Sequence, residues 1–243
     1  KGPFLSSHPP LSAMATSGGS ACPLRAEAKS SDGCPMRSAN GEVLNPRNMM
    51  PEMPQTPAAS QNMDLKKDRE VSSIPKTGEA GNWVYPSPQQ FYHALLRKNK
   101  EAEAEAMDDV VFAHNVTNER SWKAVLDWEK LHSKSCLTPS LLRFVGRQKD
   151  LSWGGWWSKQ LSYRGVPFDR HDWFVDRCGQ RTVRYVIDYY DDSKAGDAED
   201  LQITVEARPA IDTTGDLLDR FRRPGWQLRR MWTAFFGGGG KGQ

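Results

Sequence analysis

Between Pro167 and Tyr190 the chain mixes charge and aromatic character before it settles into a strand. Pro167-Phe168-Asp169-Arg170-His171-Asp172-Trp173 leads through Asp176-Arg177-Cys178-Gly179 to Val183-Arg184-Tyr185-Val186-Ile187-Asp188-Tyr189-Tyr190. A surface loop has no need of so many aromatics, and a plain core has no use for so many charges. In an extended segment side chains alternate between faces, so Asp169, His171 and Trp173 point one way and Arg170, Asp172 and Phe174 the other. Either a polar, dehydrated group sits against one face or the charges hold one another in place. Residues 183–190 and 201–207 both alternate, with a turn-rich stretch between them, so an antiparallel pair is expected.

Upstream the pattern is helical. Ser87 is a suitable N-cap, with Pro88 at the first helical position and Gln90 three residues after the cap. The helix carries Phe91, Tyr92, Leu95 and Leu96 and ends at the basic Arg97-Lys98. The repeat Glu101-Ala102-Glu103-Ala104-Glu105-Ala106 favours helix. A second helix is expected over 107–133, marked by Val111, Trp122, Val125, Leu126 and Leu131. Pro139 breaks the chain, and a short turn restarts at 139–144. A last helix is expected over about 212–223. The fold class is therefore α+β: a single domain of several helices with a small antiparallel sheet, preceded by a disordered N-terminal tail. Residues 1–75 are the Pro- and Ser-rich tail, 76–236 the domain and 237–243 a flexible Gly-rich end.

Composition removes several function classes. With 243 residues and 37% hydrophobic content, there is room for one sizeable domain. A net charge of +3 is too small to argue for nucleic acid. No apolar run approaches the ~18 residues of a membrane span, and residues 1–20 lack the apolar core of a secretory signal. The four cysteines show no Cys-x-x-Cys pair, which argues against a zinc module and leaves a disulfide open. No phosphate loop, Gly-x-Ser-x-Gly elbow or His-Glu-x-x-His pair appears.

Several constellations carry chemistry, each beside a plainer reading. His114 shares a helix face with Asn118 and precedes Trp122. A neutral imidazole on a rigid helix beside aromatics makes an axial ligand for haem iron, and the plainer reading is a satisfied structural histidine. Asp169 can orient His171 as an acid–base pair, or both belong to an ion-pair cluster. Cys22-Pro23 and Cys34-Pro35 present a thiol before proline, a ferric-haem motif or a chance pattern. Trp153, Trp156 and Trp157 follow Arg143, Arg147 and Lys149 and can embrace a flat ligand or simply pack. Nine Trp is a heavy load for an ordinary core. The Arg- and Trp-rich end at 220–232 reads as a contact for anionic headgroups or an acidic partner.

Taken in order, these signals closely resemble the mitochondrial holocytochrome c synthase (cytochrome c haem lyase) family. The matches are Cys34-Pro35, Asn45-Pro46, Asn48-Met49-Met50-Pro51 and Ser73-Ile74-Pro75. Trp83-Val84-Tyr85-Pro86-Ser87 with Phe91-Tyr92 follows, then His114-Asn115 with Asn118-Glu119, Trp122-Lys123 and Trp128-Glu129. The stretch Pro167–Trp173, Arg177-Cys178-Gly179, residues 183–190 and Arg208-Pro209-Ala210 complete the series. One departure is visible: where the family carries Gly and an aromatic after the first helix, this chain has Asn99-Lys100 and the Glu-Ala repeat.

The resemblance implies a lyase of the intermembrane space, held peripherally on the inner membrane, that joins haem b to the Cys-x-x-Cys-His site of apocytochrome c through two thioethers. By resemblance His114 matches the axial haem ligand, and Glu119 belongs to the same haem-contacting helix. Trp83 and Tyr85 match aromatics near the haem, with Asn118 and Trp122 alongside, and His171 and Arg177 match a polar loop required for function. Cys34 is expected to touch haem, His171 with Asp169 to handle a proton, and Arg177 to pair with a propionate. Two other classes stand beside this: a haem-binding chaperone or sensor that makes no thioether, and a nucleic-acid module using the Trp and Arg clusters.

Overall fold

Helix on one side of an antiparallel sheet is the organising arrangement of the computed structural model, which describes residues 36–38, 41–147, 166–192 and 203–223. The sheet has four strands in sequential order: β3 (Ser140–Gly146), β4 (Asp169–Asp176), β5 (Thr182–Asp191) and β6 (Ile203–Pro209). A smaller antiparallel pair, β1 (Val71–Pro75) and β2 (Asn82–Val84), lies against it. Helix α1 is Pro88–Arg97, α2 is Met107–Glu129 with a 3-10 turn over Lys130–His132, and α3 covers residues 214–223. The α+β class and the antiparallel pairing of β5 with β6 are as expected.

Alternation along β5 builds the core. Val183, Tyr185, Ile187 and Tyr189 face α2, where Trp122, Val125 and Trp128 meet them together with Trp173, Val175 and Leu141. Fully burying a large apolar side chain here contributes about 2–3 kcal/mol, so this seam fixes the register of helix on sheet. Asp172 and Asp188 point to the other face, each fully buried and each held by arginine. Arg147, Arg170 and Arg184 lie 3.1, 3.1 and 2.9 Å from Asp172, and Arg208 pairs with Asp188. On this face the charges of the opening stretch hold one another in place, while the opposite face of β4 and β5 is core.

Two expectations are corrected. Residues 101–106 are not helical: α1 ends through Asn99 at φ 51°, and Ala104 is then buried against Leu65, Tyr92 and Met107. A buried alanine at the start of α2 outweighs helix propensity in so short a repeat. The turn expected after Pro139 is strand β3, because Leu141 and Phe144 pack into the core and their backbone pairs with β4. Its other edge is covered, with Arg47 O accepting from Phe144 N and Leu141 O accepting from Thr77 N. Residues from Arg47 onward also make contacts with the sheet, with Arg47 bonded to Phe144 and Thr77. This part of the chain contributes Leu65 to a hydrophobic cluster and β1 to a sheet, and position 75 lies between β1 and its partner β2.

A disulfide joins Cys136, after the 3-10 turn, to Cys178 in the β4–β5 turn, with 5.6 Å between their Cα atoms. Spacing alone left this pairing open. Cys22-Pro23, Cys34-Pro35, the Trp153–Trp157 cluster and residues 224–232 lie outside the described residues. Among the described residues, no helix is long and apolar enough to cross a membrane.

Candidate functional site

His114 sits near the middle of α2, half-buried, between two aromatic edges. The Phe91 ring from α1 stands 5.0 Å away and the Tyr85 ring 6.4 Å away, both edge-on. Burial pulls the His114 pKa down from 6.5 to about 4. The Asn115 hydrogen bond opposes that fall, the positive sides of His171 and Lys98 add to it, and Asp169 resists it. At neutral pH the imidazole is therefore uncharged with a lone pair to offer. Nδ1 lies 3.4 Å from Asn115 Oδ1; donation there leaves the lone pair on Nε2. Asn118, one turn on, donates to the His114 carbonyl at 2.9 Å and stands 3.3 Å from each ring nitrogen.

Facing this helix is one end of the two central strands of the sheet. His171 on β4 and Tyr189 on β5 meet edge to face at 5.5 Å, and Nδ1 of His171 is 3.4 Å from the Tyr189 hydroxyl. Asp169, two residues earlier and so on the same face, lies 3.8 Å from Nε2. Burial lowers the His171 pKa too, against the pull of Asp169. Tyr189 reaches across to α2, 3.1 Å from Ser121 Oγ. Ser121 follows His114 by seven residues, two helical turns, so both histidines belong to one neighbourhood. Phe168 stacks near Tyr189 at 6.4 Å, and Lys98, at the end of α1, brings a cation whose pKa is lowered by burial and by Lys100.

Other expected site residues are brought to the rim and occupied there. Glu119 accepts from Ser73 N at 2.9 Å, from the Ser73 hydroxyl, and from the Tyr85 hydroxyl at 2.9 Å. Burial works to raise its pKa, but these donors outweigh it and hold the carboxyl below the usual range. Burial first, and Glu119 second, push the Tyr85 phenol well upward. Glu119 and Tyr85 are thus a clamp tying α2 to β1 and the chain after β2. In it Tyr85 keeps an edge toward His114. Asn115 is drawn the other way, donating to Glu70 at 2.8 Å.

Three more lie apart from His114. Arg177, expected beside a propionate, is 4% exposed, and its guanidinium is taken up by Glu129 at 2.7 and 2.8 Å. Glu129 is fifteen residues beyond His114 on α2, about 22 Å at ~1.5 Å per residue. Trp122 is a core residue between α2 and the sheet. Trp83 stands against Phe144 with centroids 5.4 Å apart and donates to Leu141 O at 3.0 Å, beneath β3. Cys34 is outside the described residues.

The grouping can take a flat, apolar, anionic ligand: a neutral imidazole for iron, aromatic edges for the ring and a lysine for a carboxylate. Phe91, Lys98, Ser121, Tyr189 and Phe168 were missed as site residues. For Tyr189 the signal was present, since its position shares a strand face with Tyr185 and Ile187. Lys98 was read only as a helix end.

A model of the family described as cytochrome c/c1 heme lyase matches residues 5–224. The holocytochrome c-type synthase of Bos taurus is 41% identical over 83% of this chain and 74% of its own length. That of Homo sapiens is 40% identical over 83% and 76%. The holocytochrome-c synthase of Saccharomyces cerevisiae is 37% identical over 88% and 89%. No solved structure matches.

Proposed function

The chain belongs to the cytochrome c/c1 heme lyase family, and from that premise we propose that it attaches haem b to apocytochrome c. The attachment joins the two thiols of a Cys-x-x-Cys-His site to the two haem vinyls as thioethers. The observation that carries this reading is the half-buried, uncharged imidazole of His114 held between Phe91 and Tyr85.

Such chemistry asks little of the enzyme's own nucleophiles, because the substrate brings both thiols and the haem brings both electrophilic carbons. Each addition places sulfur on the inner vinyl carbon and a proton on the terminal one, with no net oxidation. Positioning supplies most of the rate. His114 Nε2 holds iron from one side while the substrate histidine takes the other, and this sets each vinyl over a thiol. Thiolate is the stronger nucleophile, so a base at hand speeds the step. His171, uncharged and backed by Asp169, fits that role, and Lys98 fits a propionate. The work belongs in the mitochondrial intermembrane space, on the inner-membrane surface, where the Arg- and Trp-rich end at 220–232 suits anionic headgroups.

Co-expression with an apocytochrome c in a host without its own synthase tests the reading. Haem that stays on the cytochrome through denaturing electrophoresis is the expected result. Haem held on this protein while the cytochrome stays apo would make it a haem carrier instead.

A further inference from the structure

The hydrogen-bond chain Thr117–Ser121–Tyr189–His171 has a fixed direction, and proton counting reveals it. Ser121 Oγ lies 2.8 Å from the Thr117 carbonyl, which can only accept, so the single serine proton points there. Tyr189, 3.1 Å from the same Oγ, must therefore donate its own proton to Ser121. Its oxygen then has only lone pairs to offer His171 Nδ1 at 3.4 Å, so Nδ1 must carry the hydrogen. In a neutral imidazole that places the lone pair on Nε2.

A second observation concerns the same nitrogen. Gly146 pairs with His171 across β3 and β4, and a Cβ at Gly146 would lie 3.3 Å from both Cδ2 and Nε2 of the ring. Glycine thus sets no side chain of its own against the Nε2 edge, and among the described residues Asp169 stands 3.8 Å from that nitrogen. Ser121 and Tyr189 are fully or nearly fully buried, which protects the direction of the chain from competing water.

We infer that Ser121 and Tyr189 are positioning residues that hold His171 as the Nδ1–H tautomer, and that Gly146 keeps its Nε2 lone pair open to a substrate thiol. This rests on the lyase reading. Nε2 takes the thiol proton, the thiolate sulfur bonds to the inner vinyl carbon, and the proton passes from Nε2 to the terminal carbon. The protein ends as it began. Asp169 steadies the imidazolium between the two transfers.

The tautomer is read directly from long-range proton–nitrogen spectra of full-length protein labelled with 15N-histidine, with His171→Gln to assign the signal. Wild type should show Nδ1–H. Ser121→Ala should switch it, because Tyr189 then has its proton free to donate to Nδ1. Tyr189→Phe should leave the two tautomers mixed. Both variants should form thioether more slowly on an apocytochrome peptide with haem, on the order of tenfold or more. Gly146→Ala should keep the wild-type tautomer and lose rate. An Nε2–H tautomer in wild type, or none of the expected switch in a folded Ser121→Ala, would overturn the inference, as would a switched tautomer with an unchanged rate. Because the spectrum needs neither haem nor substrate, a wild type with the stated tautomer but no thioether product would overturn the lyase reading instead.

Discussion

Arg177 and Glu129 form a closed, two-point ion pair in the interior, with nitrogen–oxygen distances of 2.7 and 2.8 Å. Tyr185 donates to the same carboxylate at 2.5 Å, and Asp219 of α3 stands 4.0 Å from the guanidinium. Burial disfavours the arginine charge, yet the Glu129 bonds outweigh it and raise its pKa. The pair joins the β4–β5 turn to the end of α2.

Removing one partner leaves the other charged and buried, which costs about 3–5 kcal/mol. Arg177→Met should therefore lower the urea midpoint by the equivalent of that loss and reduce the amount of folded protein. Haem bound per folded molecule should hold. Arg177→Lys should recover only part of the loss, since an ammonium cannot span both oxygens. A stable Arg177→Met protein with weakened haem binding would return Arg177 to the ligand site.

Glu119 and Tyr85 share one bond of 2.9 Å, and Ser73 completes the carboxylate's partners. Glu119→Gln keeps the shape but loses the charge, so it should cost about 1–3 kcal/mol. Tyr85→Phe should cost less on that background than alone, a coupling of at least about 0.5 kcal/mol in a double-mutant cycle. The axial-ligand spectrum of bound haem should be the same in all three variants. A changed ligand field in Glu119→Gln would mean that the carboxylate acts on the iron ligand and not on the β1 contact.

The Cys136–Cys178 bridge closes a loop of 42 residues. Constraining the unfolded chain over that length is worth up to about 4 kcal/mol. Cys136→Ser/Cys178→Ser should lose about 2–4 kcal/mol in denaturant unfolding, and wild type in strong reductant should fall to the same midpoint. Equal midpoints for oxidised wild type and the double variant would show that the bridge carries no stability.

Local signals were the legible part of this fold. The Ser87 cap with Gln90 and the alternation over 183–190 each depend on neighbours in sequence, and both gave elements at the right places. What sequence could not supply was competition from afar. Ala104 leaves the helix pattern because Tyr92 and Leu65 cover it, and residues 140–146 become a strand because β4 pairs with them. For the site, His114 and His171 were each legible as chemistry, but their common neighbourhood depends on Tyr189 crossing from β5 to Ser121. For Arg177 the partner was the missing part, because an arginine paired in the interior and a ligand-binding arginine look alike in one dimension. Its partner lies 48 residues away.

The depressed pKa of His114 makes a prediction with a definite sign. Its folded value is about 4 and its ordinary value 6.5. Between these the unfolded chain binds a proton that the folded chain refuses, so stability rises with pH across that window. The His114 contribution is fully present above pH 6.5, declines as pH falls and is gone below about 4, a change on the order of 3 kcal/mol. His171, lowered by the same burial, adds in the same direction. Urea midpoints measured across the window should fall with pH in wild type and fall less steeply in His114→Asn, the difference between the two curves isolating this residue from the carboxylates. The same neutrality should let haem stay ligated well below pH 6.5, where an exposed imidazole would already be protonated. Parallel curves for the two proteins, or ligation lost with a midpoint near 6.5, would show that the His114 ring meets water freely and is not dehydrated by its place between Phe91 and Tyr85.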